Sequence, residues 1–89
     1  MGSNPTLSAM FYAYILKSLK DHRYYYGSTS DLKKRLKSHN GGKVRSTKNR
    51  RPFELHYFEE FPTQSEALLR ERFFKSPEGY AWLKENNII

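Results

Sequence analysis

The sequence predicts an α/β chain of the α+β type, with three strands and three helices. Three observations carry this. Two β-rich runs lie on either side of a short polar turn, a third run mixes large apolar and polar side chains at strand spacing, and three helix-start signals each precede a helix-length segment.

Phe11 to Leu19 places Tyr12, Tyr14 and Leu16 on one face and Phe11, Ala13 and Ile15 on the other, so both faces are covered and the strand is central. Lys20-Asp21-His22 is a polar turn, and Arg23 to Ser28 returns as a second strand, a hairpin. Ser30 is the expected N-cap of a first helix, Asp31 to His39, which Asn40-Gly41-Gly42 ends. Gly41 to Pro52, with five basic residues and only Val44 as a sizeable apolar one, is expected to be a mobile loop. Phe53 to Phe61 is the third strand, with Phe53, Leu55, Tyr57 and Phe61 expected on one face. Thr63-Gln64-Ser65-Glu66 is a capping box opening a helix that runs to about Lys75. Ser76-Pro77-Glu78 starts a third helix, through about Glu85, with Ser as cap and Pro in the first turn. Met1 to Ala9 is polar and is expected to be a disordered leader; Met10 is a candidate start of the native coding sequence, and residues 10–89 form one domain.

The chain has 89 residues and no Cys, which excludes a cysteine nucleophile, a thiolate metal site and a zinc finger. No apolar run reaches the ~18 residues of a membrane span, so no membrane partner and a cytoplasmic location are expected. Of 16 Lys and Arg in the chain, nine fall between Asp31 and Pro52 against a single acid. The rest of the chain is about neutral. A basic block this dense, interleaved with Gly, Ser, Thr and Asn, is the footprint expected for a polyanion such as nucleic acid.

Three polar features sit in odd places. On the first helix, Lys33, Lys34 and Lys37 form a wet face, whereas Arg35 and His39 flank the Leu32-Leu36 stripe one turn apart, beside the core. An Asp31–Arg35 ion pair and a hydrogen-bonded His would account for them structurally. On the second helix, Glu71 falls between Phe74 and Leu68, so its carboxylate needs a cation: a metal, Lys75 or Arg70. Tyr24, Tyr25 and Tyr26 stand in a row before Gly27, so at least one hydroxyl points away from the main core.

The residues that carry these features resemble the GIY-YIG nuclease superfamily: Ala13-Tyr14-Ile15 in the first strand, Tyr25-Tyr26-Gly27 closing the second, Asp-Leu-Lys-Lys-Arg-Leu-Lys-Ser-His-Asn in the first helix, and Ser-Glu-Ala-Leu-Leu-Arg-Glu-Arg-Phe-Phe-Lys-Ser in the second. The chain is most similar to small stand-alone bacterial members akin to the N-terminal nuclease domain of the bacterial repair excinuclease. The resemblance implies a three-stranded antiparallel sheet flanked by helices and one divalent ion, Mg²⁺ or Mn²⁺. It places the family's tyrosines on Tyr14 and Tyr25, its glycine on Gly27, its arginine on Arg35, its Tyr-or-His position on His39 and its metal-binding glutamate on Glu71. Ala13 stands for the name-giving glycine, Tyr26 for the middle isoleucine, and Ser28 where some relatives carry Lys.

The expected activity is that of a metal-dependent endonuclease acting on DNA more than RNA, of a repair or recombination type. Glu71 would hold the metal, and Tyr25 or Tyr14 would deprotonate water, with cations such as Arg35 lowering the tyrosine pKa. His39 would serve as shuttle or rival base, Arg35 would stabilise transition-state charge, and Lys43, Arg45, Lys48, Arg50 and Arg51 would grip the backbone. The competing expectation is a noncatalytic DNA- or RNA-binding module using the same basic block.

Overall fold

The computed structural model describes residues 10–89, and the expected leader lies outside them. The elements follow as β1 (Phe11–Ser18), β2 (Tyr24–Thr29), α1 (Leu32–Asn40), β3 (Phe53–Phe61), α2 (Gln64–Phe74) and α3 (Pro77–Glu85). The strands form one antiparallel sheet in the order β2-β1-β3. β1 is central, as its doubly apolar pattern requires.

Each face of β1 builds its own core. Ala13 and Ile15 pack with Phe74 and Leu83 of α2 and α3, and Tyr24, Tyr26, Tyr57 and Trp82 close around them. On the other face Tyr14 and Leu16 pack with Phe53, against Leu32 and Leu36 of α1. The sheet is therefore a middle layer between α1 and the α2–α3 pair. The row of tyrosines divides accordingly: Tyr25 pairs with Leu16 and faces α1, while Tyr24 and Tyr26 turn to the opposite core.

Two helix starts are built as the sequence predicts. The Thr63 hydroxyl accepts from the Glu66 amide at 3.2 Å and donates to the Glu66 carboxylate at 2.9 Å, and Ser76 accepts from the Gly79 amide at 3.0 Å. Gly79 has no room for a side chain, because a Cβ there would run into the Phe73 carbonyl where α3 turns against α2. The first helix departs from expectation. Its N-cap is Asp31, not Ser30: the carboxylate accepts from the Lys34 amide at 3.0 Å, while Thr29 steadies the Asp31 amide.

Two further expectations are corrected. β3 does not alternate strictly, because the register with β1 shifts between Ile15 and Leu16, leaving His56 as an extra residue. That bulge moves Phe53 and Leu55 to the α1 face while Tyr57 and Phe61 stay on the other. The basic segment is also anchored, not free. Buried Ser18 donates to the Arg50 carbonyl at 2.6 Å, Arg50 pairs with Asp21 at 2.8 Å, Arg51 donates to the Lys48 carbonyl at 2.7 Å, and Asn40 of α1 holds both backbone groups of Phe53. Apart from the local Arg51–Lys48 bond, these polar ties are long-range and have no local sequence signature, and they replace the apolar anchors the segment lacks.

Candidate active site

Tyr14 is the centre of the site. It faces Gly27 across the β1–β2 pairing, and its ring leans over that glycine; a Cβ at Gly27 would stand 2.5 Å from the Tyr14 hydroxyl oxygen. Glycine is needed here for close approach and not for backbone conformation. The hydroxyl accepts from Arg35 Nε at 3.3 Å and lies 3.1 Å from His39 Nε2. Arg35 and His39 are one turn apart on α1, so one helix face delivers both. The Asp31–Arg35 ion pair is not formed, since the Asp31 carboxylate is committed to the N-cap and the guanidinium turns to the tyrosine.

The two tyrosines occupy different environments. Tyr14 is fully buried, whereas Tyr25 is half-buried, with its ring centre 6.5 Å from that of Tyr14 and 4.8 Å from that of His39. Burial raises the Tyr14 pKa above its ordinary value of 10.0, outweighing the hydrogen bond and charge of Arg35 that pull it down. The expectation that Arg35 would hold this hydroxyl low is corrected: desolvation wins. Arg35 is shifted upward, first through its bond to Tyr14 and also through one toward Tyr25. Its guanidinium is thus a firm cation shared by both tyrosines.

His39 is fully buried. Burial first, then the Arg35 charge, lowers its pKa to about 4, so the ring is neutral at physiological pH. It stands behind Tyr14 and has no direct access to solvent, which leaves it the role of a relay or a support. A consequence for stability follows, because the unfolded chain takes up this proton near pH 6.5 and the folded one only near 4. Stability from a neutral His39 is present above pH 6.5 and is lost as pH falls through this window. Thermal melts between pH 7 and 4 are expected to show a decline in Tm that flattens in His39→Gln; an equal decline in both contradicts the assignment.

Glu71 lies on α2, across the sheet from α1, and its carboxylate is the smallest of the influences on the Tyr14 pKa, raising it slightly. Its side chain is mostly buried and meets Lys75 Nζ at 2.8 Å. Arg70, the other local candidate, bonds Glu59 at 2.8 Å and stacks over Phe73, Phe74 and Trp82. The apolar setting differs from the one the helical wheel gives: Leu68 and Leu69 are exposed, while Ala67 and Phe74 are buried. Among the described residues no three His, Cys, Asp or Glu side chains gather into a ready-made metal cage. One carboxylate, with an exposed lysine that can swing away, fits a hard ion held mainly through water, as Mg²⁺ or Mn²⁺ commonly is.

The basic residues separate by partner. Lys43, Arg45, Lys48 and Arg51 are exposed, whereas Arg50 is tied to Asp21 and lies over Phe53. Sequence reasoning left the three helix lysines out of the binding set. An open groove lined by Asp31, Lys33, Lys34, Leu36, Lys37 and Asn40 continues, through Lys34 and Lys37, into one lined by Ser38, Gly41 and Lys43. Their shared position on the wet face of α1 is the signal that could have included them. Of the sequence departures, Ala13 is packed in the core and Tyr26 packs on Phe74, so both are absorbed by the fold.

Fold and cluster define a class: a small α+β domain in which an arginine, two tyrosines and a histidine meet under a helix whose outer face is basic. The chain matches the family described as the GIY-YIG catalytic domain over residues 10–86, and it belongs to that family. The chain is similar to the UPF0213 protein YazA of Bacillus subtilis, 49% identical over 63 residues, which is 70% of this chain and 63% of that protein. It thus spans just under two thirds of the length of that relative. A UPF0213 protein of Pediococcus acidilactici is 39% identical over 89% of this chain and 86% of its own length. The solution NMR structure of a UPF0213 protein from Bacillus halodurans superposes with a TM-score of 0.50 at 35% identity, covering 85% of this chain and 83% of that one. No helix among the described residues is long and apolar enough to cross a membrane.

Proposed function

We propose that this chain is a divalent-metal-dependent endonuclease that hydrolyses phosphodiester bonds, with DNA as the principal substrate. The observation that carries the reading is the Arg35–Tyr14–His39 cluster, an always-charged guanidinium fixed by a buried hydroxyl, on a helix whose outer face lines a lysine-rich groove. Arg35 presents a planar donor fork to the phosphate oxygens and stabilises the charge that grows on them as water attacks. Tyr25, on the open side of the cluster, orients the attacking water and assists its deprotonation, while buried Tyr14 holds Arg35 in place. Glu71 is the residue that would hold Mg²⁺ or Mn²⁺, and the bound ion would supply neutralisation of the scissile phosphate and the leaving oxygen.

Lys34, Lys37, Lys43, Arg45 and Lys48 track the nucleic-acid backbone without reading bases. Replacing Lys43, Arg45 and Lys48 by Ala is expected to lower affinity about equally across sequences and to flatten the log–log salt dependence by up to about three units, from roughly 0.9 per lost phosphate contact. Arg50→Ala instead is expected to loosen the loop through Asp21, with less change in slope. An unchanged slope in the triple variant places the binding surface elsewhere. The activity is tested by incubating the chain with linear, branched and single-stranded DNA and with RNA, in Mg²⁺, Mn²⁺ or EDTA. Cutting of DNA that EDTA stops is expected; cutting of RNA alone reverses the substrate assignment.

A further inference from the structure

Thr47 stands between exposed Ser46 and Lys48 in the basic segment, yet it is fully buried. Its hydroxyl lies 2.9 Å from His39 Nδ1 and donates to the Val44 carbonyl at 3.3 Å. A hydroxyl has one proton and a carbonyl can only accept. Directed at the Val44 carbonyl, which also accepts the Thr47 amide at 3.1 Å, that proton leaves the Thr47 oxygen to accept from His39, and this arrangement puts the hydrogen of the neutral ring on Nδ1. Nε2 is then a bare acceptor 3.1 Å from Tyr14, so Tyr14 donates to it. The Tyr14 oxygen is left free to accept from Arg35 Nε at 3.3 Å. The chain of bonds has one direction throughout, because a group that can only accept closes one end and a group that can only donate closes the other.

We propose that Thr47 is a positioning residue: through His39 and Tyr14 it fixes the aim of the Arg35 guanidinium at the scissile phosphate. The proposal rests on the nuclease reading of this site. Were the ring hydrogen on Nε2, it and the Arg35 Nε hydrogen would both point at the Tyr14 oxygen, and the tyrosine proton would lose its buried acceptor. With Nε held by Tyr14, the two terminal nitrogens of Arg35 are left for the phosphate. Because Thr47 belongs to the same segment as Lys43, Arg45 and Lys48, grip on the backbone and aim at the phosphate are built into one piece of chain.

Thr47→Val removes the hydroxyl while keeping the shape, and Thr47→Ser restores it. The His39 tautomer is read by long-range nitrogen–proton NMR correlation in the parent and both variants, beside single-turnover cleavage with saturating substrate. The parent and Thr47→Ser are expected to hold the hydrogen on Nδ1. Thr47→Val is expected to lose that preference and to cut tenfold or more slowly at unchanged substrate affinity. An Nε2–H ring in the parent overturns the proposal whether or not the valine variant folds, and so does a Thr47→Val protein with the parent's tautomer and rate. If the parent cuts no nucleic acid, the nuclease reading fails by itself. The tautomer comparison still decides the bond chain, and an Nδ1–H ring in both parent and valine variant overturns it.

Discussion

Glu71→Gln is expected to abolish metal-dependent cleavage while nucleic-acid binding stays near that of the parent. The carboxylate is the charged donor at the site that suits a hard divalent ion, and an amide of the same shape loses the charge that holds one. The fold should hardly notice. The pair to Lys75 joins a residue that is 53% exposed to one four positions earlier on the same helix, and such pairs contribute only about 0.3–0.5 kcal/mol. Lys75, released, is solvated. A thermal melt therefore separates two roles for Glu71. A catalytic carboxylate gives a melt within about 1–4 °C of the parent, a midpoint that Mn²⁺ raises only in the parent, and no cutting in the variant. A carboxylate that serves only Lys75 gives a variant that cuts like the parent.

Arg35→Lys is the second large effect expected: cleavage slower by ~10² or more, with affinity for nucleic acid little changed. Lysine keeps the charge but has no Nε to bond Tyr14 and no planar pair of donors for two phosphate oxygens. The buried Tyr14 hydroxyl would also lose its donor, at a cost of about 1 kcal/mol. Single-turnover rates and equilibrium binding, measured side by side, distinguish loss of transition-state contact from loss of grip. Equal weakening of both would make Arg35 a backbone contact like the helix lysines.

The parts of this molecule set by near neighbours were legible in the sequence. Phe11–Ser18 carries apolar side chains on both faces and is the central strand, and the Thr63–Glu66 box and the Ser76 cap form the bonds their spacing requires. Helical period alone put Arg35 and His39 at the edge of the core, where they meet Tyr14. It also marked Glu71 as needing a cation, and offered the lysine four residues on that the carboxylate meets. What escaped was set by residues far apart in the chain. The bulge at His56 depends on how β3 registers against β1, and no local pattern of Phe53–Phe61 announces it. Thr47 looks like one more small polar residue in a basic loop until His39 is seen beside it. Arg50 counts as one more phosphate contact until Asp21, 29 residues earlier, takes its charge. The direction of the Tyr14 pKa is a balance of burial against Arg35, and only the packed structure decides it.

Whether this domain cuts a phosphodiester with the help of a divalent ion is decided by a single interrupted time course. Supercoiled and end-labelled duplex DNA are incubated with the purified chain in Mn²⁺, and an aliquot is transferred to excess EDTA midway through the reaction. Nicked and shortened products are expected to accumulate with time and to stop accumulating when EDTA is added, with none formed by Glu71→Gln. Salt-sensitive binding with no product in Mn²⁺ or Mg²⁺, or products that continue to form in EDTA, would refute metal-dependent cleavage by this domain.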